Sequence, residues 1–447
     1  MKHLPTLLLT LPLLLFACAP EPAQNDTPDP EIPNLNGGPD SDADNPDSDA
    51  ASNADNHAEV EPRYPVLLIG MDGFKPEYLG EDYGSTPNFD RLIEAGVLAE
   101  SLKPVFPTKT FPNLYSIVTG LYPENHGIIS NTVYDPDRGE TLRMFDADSQ
   151  EQSHWWGGEP IWVTAEKAGL KASTFFWVGS EAEVGGYRPT NHVAYNSAIP
   201  HSNRVDQVLQ WLTDDEDPTH FATLYFSRPD GAGHSHGPRS QQVANAVADM
   251  DAQLGRLIDG LEDAGIWPDI NLLIVSDHGM VELDPDKVIF LDQIIDLQDV
   301  FVVDWTPVAM LSPRAGFADL IFHQLDEHQQ WRDHYQVFRR DDLPEHYHLR
   351  HRRLPEIVMI ADMPYTITST QYFNSTGLMA ASHGFDPEYP EMHGFFLAAG
   401  PDFRQDHRAP TLELVDLYEL MVHLLGVDPA DNDGSLERIG SQVLRDF

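Results

Sequence analysis

The stretch VLLIGMDG, residues 66–73, is a continuous apolar run that ends in an aspartate and a glycine. Two later stretches have the same design, LYFSRPDGAGH at residues 224–234 and LLIVSDHG at residues 272–279. A short apolar run closed by Gly or Pro is typical of a strand that is buried on both faces of a parallel sheet. The three stretches therefore predict an α/β fold with a mainly parallel central sheet.

Acidic and imidazole side chains follow each of these predicted strands, namely Asp72, Asp230, His234, Asp277 and His278. In open α/β sheets the ligand site lies at the carboxyl ends of the strands, so we expect these side chains to converge on one rim. Carboxylates and imidazoles together are the ligands of a borderline divalent metal, with zinc the best match. The sequence thus predicts a metal-dependent enzyme.

Helical and strand patterns alternate along the rest of the chain, which favours a parallel sheet covered by helices on both faces. We predict helices at residues 86–96, 160–169, 202–212, 240–265 and 412–425. Further strands are predicted at residues 171–178, 302–311, 357–361 and 395–399. The irregular stretch at residues 135–158 is predicted to form a small inserted lobe near the mouth of the site.

The amino-terminal segment has the features of an export signal. Residues 1–17 combine a short basic start with a Leu-rich run that is too short for a transmembrane helix. The run ends in LFAC at residues 15–18, which resembles a bacterial lipobox, although Phe16 is bulkier than usual there. We expect an exported protein that is lipid-anchored to the bacterial envelope through Cys18; the alternative is an ordinary secretory signal. Cys18 is the single cysteine, so no disulfide is expected within the chain.

Composition divides the chain after the signal. Residues 18–62 are rich in Asp, Asn, Pro, Ala and Ser, which predicts a disordered acidic tether. We assign residues 63–447 to one catalytic domain. With 72 acidic and 27 basic residues the formal net charge is −45, which disfavours a nucleic-acid-binding surface. The negative charge of an anionic substrate would have to be neutralised locally, by metal ions.

A candidate nucleophile lies in FPTKTFPN, residues 106–113. Pro107 and Pro112 stiffen this segment, and residues 114–120 are predicted to be helical. The hydroxyl of Thr110 would lie among free backbone N–H groups at the start of that helix, where an oxyanion or a phosphate is stabilised. A nearby metal would activate it as a nucleophile. Taken alone the signal is weak, because a threonine at this place is usually a helix cap.

Residues 106–113 resemble the nucleophile motif of the nucleotide pyrophosphatase/phosphodiesterase (type I phosphodiesterase) family of the alkaline phosphatase superfamily. Four further segments resemble the family's motifs in family order, at residues 120–131, 229–238, 276–280 and 383–401. The resemblance implies an alkaline-phosphatase-like three-layer α/β sandwich with two zinc ions per chain. It also implies hydrolysis of nucleotide pyrophosphate and phosphodiester bonds through a phosphothreonine intermediate.

The same resemblance implies roles for individual residues. One zinc would be held by Asp72, Thr110, Asp277 and His278, and the other by Asp230, His234 and His383. Asn131 would donate to a phosphate oxygen. Phe111 and Tyr225 would flank the nucleobase, although either ring could instead belong to the core.

Several alternatives stay open. A phosphomonoesterase and a lipid or choline phosphodiesterase share the metal motifs. A sulfatase is disfavoured, because its nucleophile would be a modified cysteine or serine instead of Thr110. A tethered binding module that has lost activity is disfavoured by the intact ligand set. We expect His126 and His393 not to be ligands, and we expect the basic cluster at residues 346–353 to be a solvated surface.

Overall fold

The structure, a computed structural model, describes residues 64–447. The predicted signal peptide, the predicted tether and Cys18 lie outside the described residues and stay predictions. None of the helices between residues 64 and 447 combines the length and the apolar character needed to cross a membrane.

The strands, in chain order, are β1 (Val66–Met71), β2 (Gly96–Ala99), β3 (Leu102–Lys103), β4 (Thr132–Asp135), β5 (Glu140–Arg143), β6 (Ala172–Phe175), β7 (Asn191–Val193), β8 (Phe221–Phe226), β9 (Asn271–Val275), β10 (Val281–Glu282), β11 (Val288–Phe290), β12 (Val300–Asp304), β13 (Val308–Pro313), β14 (Tyr335–Arg339), β15 (Ile357–Ala361), β16 (Thr366–Thr368), β17 (Ala381–Ser382), β18 (Phe396–Ala399), β19 (His407–Ala409) and β20 (Leu412–Glu413). The α-helices are α1 (Pro87–Ala95), α2 (Thr110–Thr119), α3 (Pro123–His126), α4 (Ala147–Gln150), α5 (Ile161–Lys167), α6 (His201–Leu212), α7 (Asp230–His236), α8 (Gln241–Asp263), α9 (Ala318–Asp326), α10 (Thr370–Thr376), α11 (Leu417–Leu425) and α12 (Leu436–Val443).

The central sheet has eight strands in the order β19-β2-β18-β9-β1-β8-β6-β7. β1 pairs in parallel with both β8 and β9, so the three strands predicted from their apolar runs are direct neighbours. Each residue of these strands is buried, which explains why they are mainly apolar and do not alternate with polar residues. The predicted α/β class with a mainly parallel central sheet is confirmed; β18 is antiparallel to both of its neighbours.

The helices pack in two groups around this sheet. One group contains α1, α6 and α8, and the other contains α2, α5 and α11. In α8 the buried positions recur at helical spacing, at Val243, Val247, Met250, Leu254 and Leu257. They form one apolar stripe along the helix, and this stripe packs against the neighbouring elements. The two helical groups and the sheet form the three predicted layers.

A second lobe was not predicted from the sequence. β12, β13, β15 and β14 form a separate four-stranded antiparallel sheet with its own apolar core, which includes Ile289, Leu311, Ile321 and Met359. The strand predicted at residues 302–311 is in fact two strands, because the chain turns between Asp304 and Val308. Pro307 lies in that turn and has no N–H to donate to a ladder. The lobe predicted at residues 135–158 is the β4–β5 hairpin followed by α4.

The predicted domain boundary leads to a testable expectation. A chain that begins at Arg63 should be soluble, with an unchanged Tm, because residues 18–62 contain almost no large apolar side chain that could join the core. Thermal unfolding of the purified fragment would measure this. A matched fragment that begins at Asp72 lacks β1, the strand between β8 and β9, and should not fold. Loss of folding in the longer fragment would place the boundary earlier in the chain.

Candidate active site

The predicted ligands meet at the carboxyl ends of the three central strands. Asp72 follows β1, Asp230 begins α7 after β8, and Asp277 and His278 follow β9. His383 follows β17 and completes the cluster from the far end of the chain. These side chains and that of His234 are all buried. The sequence-predicted set therefore forms one compact, water-poor cluster.

Backbone contacts hold the three carboxylate loops together. The N–H of Asp230 donates to the carbonyl of Asp72 at 3.0 Å, and the N–H of Gly73 donates to Oδ1 of Asp277 at 3.2 Å. Gly73 has a φ of +66°, and a Cβ at that position would lie 2.9 Å from Cβ of Asp230. A larger residue at position 73 would push the carboxylates apart, so the glycine is required by both conformation and space.

Three carboxylate oxygens in the cluster lack a hydrogen-bond donor among the described residues. They are Oδ1 of Asp72, Oδ1 of Asp230 and Oδ2 of Asp277. A buried charged oxygen without a donor is costly, because nothing in the protein replaces the water that it has lost. A metal ion would meet this need. The donor set therefore fits a bound cation.

The three histidines are also oriented in a way that suits metal binding. Each Nδ1 lies at hydrogen-bond distance from a backbone carbonyl, that of Ala381 for His234 (2.9 Å), Gly279 for His278 (2.9 Å) and Thr108 for His383 (2.8 Å). Because Nδ1 donates to a carbonyl, Nε2 is the atom that points at the carboxylates, and it can bind a metal ion once its proton is lost, as in histidine ligands of metals.

Distances within the cluster define two groups that share one histidine. Nε2 of His278 lies 3.3 Å from Oδ1 of Asp72 and 3.3 Å from Oδ2 of Asp277. Nε2 of His234 and of His383 lie 3.3 Å and 3.7 Å from Oδ1 of Asp230. The ligand atoms of Asp72, Asp277 and His278, and likewise those of Asp230, His278 and His383, all lie within 4.8 Å of one another. The first group contains the carboxylates and the histidine predicted for one ion. The second contains Asp230 and His383 as predicted but has His278 where His234 was expected, and His234 lies beside it.

The electrostatics of the cluster also favour a cation. Burial, reinforced by the neighbouring carboxylates of Asp277 and Asp230, raises the pKa of Asp72 well above its ordinary value. Burial likewise raises the pKa of Asp277. Burial works in the same direction on Asp230, but His234, His383 and His278 in their charged forms together outweigh it and lower the pKa of Asp230. A divalent ion would stabilise all three carboxylates in their charged form.

Thr110 is the first residue of α2 and is 5% exposed. Its Oγ1 lies 3.3 Å from Nε2 of His278, which places the hydroxyl against the first ligand group. The sequence-based expectation of free N–H groups around this hydroxyl is not met for the residues after Thr110, because the N–H of Phe111 bonds to Asn131, Pro112 has no N–H, and the N–H of Asn113 donates to the carbonyl of Lys109. Asn131 is oriented by its own carbonyl, because its Oδ1 accepts from the N–H of Phe111 at 2.8 Å. The amide Nδ2 of Asn131 is thereby left to donate.

Tyr225 is tied to the metal cluster by its hydroxyl, which donates to Oδ2 of Asp72. Burial and the Asp72 charge raise the pKa of Tyr225 well above its ordinary value, so the hydroxyl keeps its proton. The ring stands edge-on to Trp177 and to Tyr195, with centroids 6.5 Å and 6.2 Å away. Tyr225 therefore orients Asp72 and also forms part of an aromatic wall.

An aromatic cleft opens beside Asp72 and Thr110. Its ring-bearing walls are Phe111, Phe145, Phe176, Trp177, Tyr195 and Tyr225. Phe111 is only 4% exposed, whereas Phe145 and Tyr195 are 47% and 42% exposed. Phe111 and Tyr225 are expected here from the sequence, whereas Phe145 and Tyr195 lie in irregular segments without a motif. Their exposure, visible only in the folded chain, is the signal that identifies them.

The comparisons with known proteins agree with this geometry. The model of the family described as type I phosphodiesterase/nucleotide pyrophosphatase matches residues 66–386. The chain is 34% identical over 375 residues to a bis(5'-adenosyl)-triphosphatase of Mus musculus, covering 83% of this chain and 79% of that one. It is 37% identical over 386 residues to ectonucleotide pyrophosphatase/phosphodiesterase family member 1 of Homo sapiens, and the match spans 83% of this chain but 41% of that longer protein.

A solved structure extends the likeness to three dimensions. Murine ectonucleotide pyrophosphatase/phosphodiesterase 5, in an inactive form with a threonine replaced by alanine and in complex with AMP, superposes with a TM-score of 0.80 and 32% sequence identity. The superposition covers 85% of this chain and 100% of the murine one, so the alkaline-phosphatase-like fold is confirmed. The chain belongs to the type I phosphodiesterase/nucleotide pyrophosphatase family of the alkaline phosphatase superfamily.

Proposed function

We propose that this chain hydrolyses nucleotide phosphodiester and pyrophosphate bonds with two zinc ions, through a phosphothreonine intermediate. The observation that carries the proposal is the Thr110 hydroxyl at the start of α2, 3.3 Å from Nε2 of His278 and beside three buried carboxylate oxygens without donors. Asp72, Asp277 and His278 would hold one zinc together with Thr110, and Asp230, His234 and His383 the other. When bound, the ions supply Lewis acidity and offset the charge of the phosphate.

Thr110 and Asn131 then have separate roles in the reaction. Oγ1 of Thr110 loses its proton and forms a bond to phosphorus, while the bond from phosphorus to the leaving oxygen breaks and that oxygen takes up a proton. The oxygen of a water molecule next bonds to phosphorus, the Thr110–phosphorus bond breaks, and a proton of that water passes to the threonine oxygen. The products are a monoester and the released alcohol or phosphate. Nδ2 of Asn131 donates to a non-bridging oxygen, which stabilises charge without adding a full positive charge.

The aromatic cleft supplies a site for the nucleoside. Flat bases stack on aromatic rings with about 1–3 kcal/mol per base, and the rings of Phe111 and Tyr195 border the cleft next to Thr110. The AMP complex of the murine relative supports a nucleotide as the ligand of this chain too. Aromatic rings also hold quaternary ammonium groups, so a choline phosphodiester is the competing substrate class.

We expect diesters to be preferred over monoesters. Because Asn131 is a neutral donor, the site should stabilise a singly charged phosphodiester better than a doubly charged phosphomonoester. The kcat/KM for nitrophenyl thymidine monophosphate should therefore exceed that for nitrophenyl phosphate at least tenfold. That ratio needs about 1.4 kcal/mol of differential transition-state stabilisation. Nitrophenyl phosphocholine, assayed under the same conditions, tests the choline alternative. A preference for the monoester would favour a phosphomonoesterase.

Export and lipid anchoring through Cys18 are proposed on the sequence of residues 1–18 alone. Expression in a bacterium that is fed a labelled fatty acid should label the wild-type protein and not Cys18→Ala. Equal labelling of the two proteins would reject the anchor.

A further inference from the structure

Asp304, a carboxylate of the antiparallel lobe, contacts residues beside the candidate active site. Asp304 ends β12, and its side chain is 14% exposed. Oδ2 of Asp304 accepts from the Lys109 ammonium at 2.6 Å and from the hydroxyl of Ser130. Oδ1 accepts from the N–H of Trp305 at 2.8 Å, which fixes the rotation of the carboxylate. Asp304 therefore joins two segments that are distant from it in sequence.

The two residues that Asp304 holds are the immediate neighbours of the reacting groups. Lys109 precedes Thr110, and Ser130 precedes Asn131. On the opposite side the same two segments are joined by the bond from the N–H of Phe111 to Oδ1 of Asn131, at 2.8 Å. Residues 109–111, residues 130–131 and Asp304 thus form a closed hydrogen-bonded ring. We call this ring the phosphate clamp.

The burial of the clamp makes it stiff. Lys109 is 5% exposed and Ser130 is fully buried. A buried ammonium that lost its carboxylate would be left without compensation, which is strongly unfavourable. Bonds to a charged acceptor are shorter and stronger than bonds between neutral groups. The side chains of Lys109 and Ser130 are therefore held in one favourable arrangement. The backbone of the residues that directly follow them, Thr110 and Asn131, is held in place as a result.

We propose that Asp304 is a positioning residue that sets the spacing between the Thr110 hydroxyl and the Asn131 amide. This inference rests on the proposed function, in which both groups act on one phosphate. Their separation decides whether the nucleophile attacks while the amide holds a non-bridging oxygen. A displacement of about 1 Å at such a site can cost about 100-fold in rate.

The decisive variant is Asp304→Asn, compared with Asp326→Asn. Asp326 belongs to the same lobe and forms an ion pair with Arg332, but its side chain bonds to no residue of the clamp. In Asp304→Asn we expect kcat for the thymidine diester to fall about 10- to 100-fold, with KM within about threefold of wild type. Zinc content and Tm, measured on the same samples, should show a folded and loaded enzyme. Asp326→Asn should keep the wild-type kcat.

A second readout does not depend on activity. Hydrogen–deuterium exchange should become faster in Asp304→Asn at the Phe111 amide and in the peptide that contains residues 130–131, and it should be unchanged in Asp326→Asn. Unchanged exchange in both segments would overturn the clamp. A lowered Tm with wild-type kcat would also overturn it, since Asp304 would then only hold the lobe in place.

A third variant covers the case in which Asp304→Asn does not fold. Ser130→Ala removes one arm of the clamp and should give the same change in exchange with a smaller loss of kcat; wild-type exchange in this variant would reject the clamp. If the wild-type enzyme hydrolyses no diester, the proposed function fails, while the exchange experiment still decides whether Asp304 holds the two segments.

Discussion

Replacing Thr110 by alanine should lower kcat for a nucleotide diester by at least about four orders of magnitude, the scale of loss when a nucleophile is removed. The hydroxyl is the one candidate nucleophile at the start of α2, and its Oγ1 faces Nε2 of His278 at 3.3 Å. Zinc content should fall by little, because the carboxylate and imidazole ligands remain. Steady-state kinetics and metal analysis of the purified variant measure both quantities.

Two control variants separate the chemistry of Thr110 from its place in the helix. Thr110→Ser keeps a hydroxyl at the same position and should retain measurable turnover. Thr119→Ala removes a hydroxyl at the other end of α2, where it donates to the carbonyl of Tyr115, and should be close to wild type. Acid quenching during turnover should trap phosphate on the peptide that contains Thr110. Residual activity of Thr110→Ala within tenfold of wild type would reject the covalent mechanism.

The site could be predicted where the sequence carries a local signal. β1, β8 and β9 are apolar because they are buried on both faces, and each is followed by its metal-ligand candidates. Parallel pairing of β1 with both neighbours brings those strand ends to one rim, so the order of motifs along the chain was enough to predict that Asp72, Asp230 and Asp277 meet.

The antiparallel lobe could not be predicted in the same way. Its strands are short apolar runs like those of the central sheet, and local periodicity does not say which sheet a run joins. The pairing of β13 with β15 connects residues about fifty positions apart. The phosphate clamp was missed for the same reason, because the contact between Lys109 and Asp304 spans 195 positions.

Part of the basic cluster at residues 346–353 contacts Asp135, a carboxylate that is distant in sequence. A solvated surface was expected, and for Arg353 this is wrong. Arg353 is 5% exposed, and its Nε donates to the fully buried Asp135 at 3.2 Å, while Arg352 donates to the same carboxylate. Burial, together with the Arg353 charge, lowers the pKa of His351 to about 4. A buried carboxylate is stable only when charged donors bond to it, and Arg352 and Arg353 are those donors for Asp135.

Replacing His383 by alanine should reduce both zinc occupancy and activity. His383 is the ligand candidate supplied by the last third of the chain, and its Nε2 lies 3.7 Å from Oδ1 of Asp230. Its ring also stacks on that of His278, with centroids 3.5 Å apart. Loss of an outer partner of a ligand typically costs about 10- to 100-fold in metal affinity or activity, so loss of a ligand itself should cost at least about 100-fold in kcat.

His393 provides the matched control for this prediction. It lies ten positions further along the chain, but its ring nitrogens contact Ser101 and the carbonyl of Pro387 instead of the carboxylate cluster. His393→Ala should therefore keep the wild-type zinc content and kcat. For His383→Ala we expect metal analysis to show about one zinc per chain in place of the two proposed, because Asp230 and His234 alone offer too few ligands for tight binding. Two zinc ions bound as tightly as in the wild type would remove His383 from the metal centre.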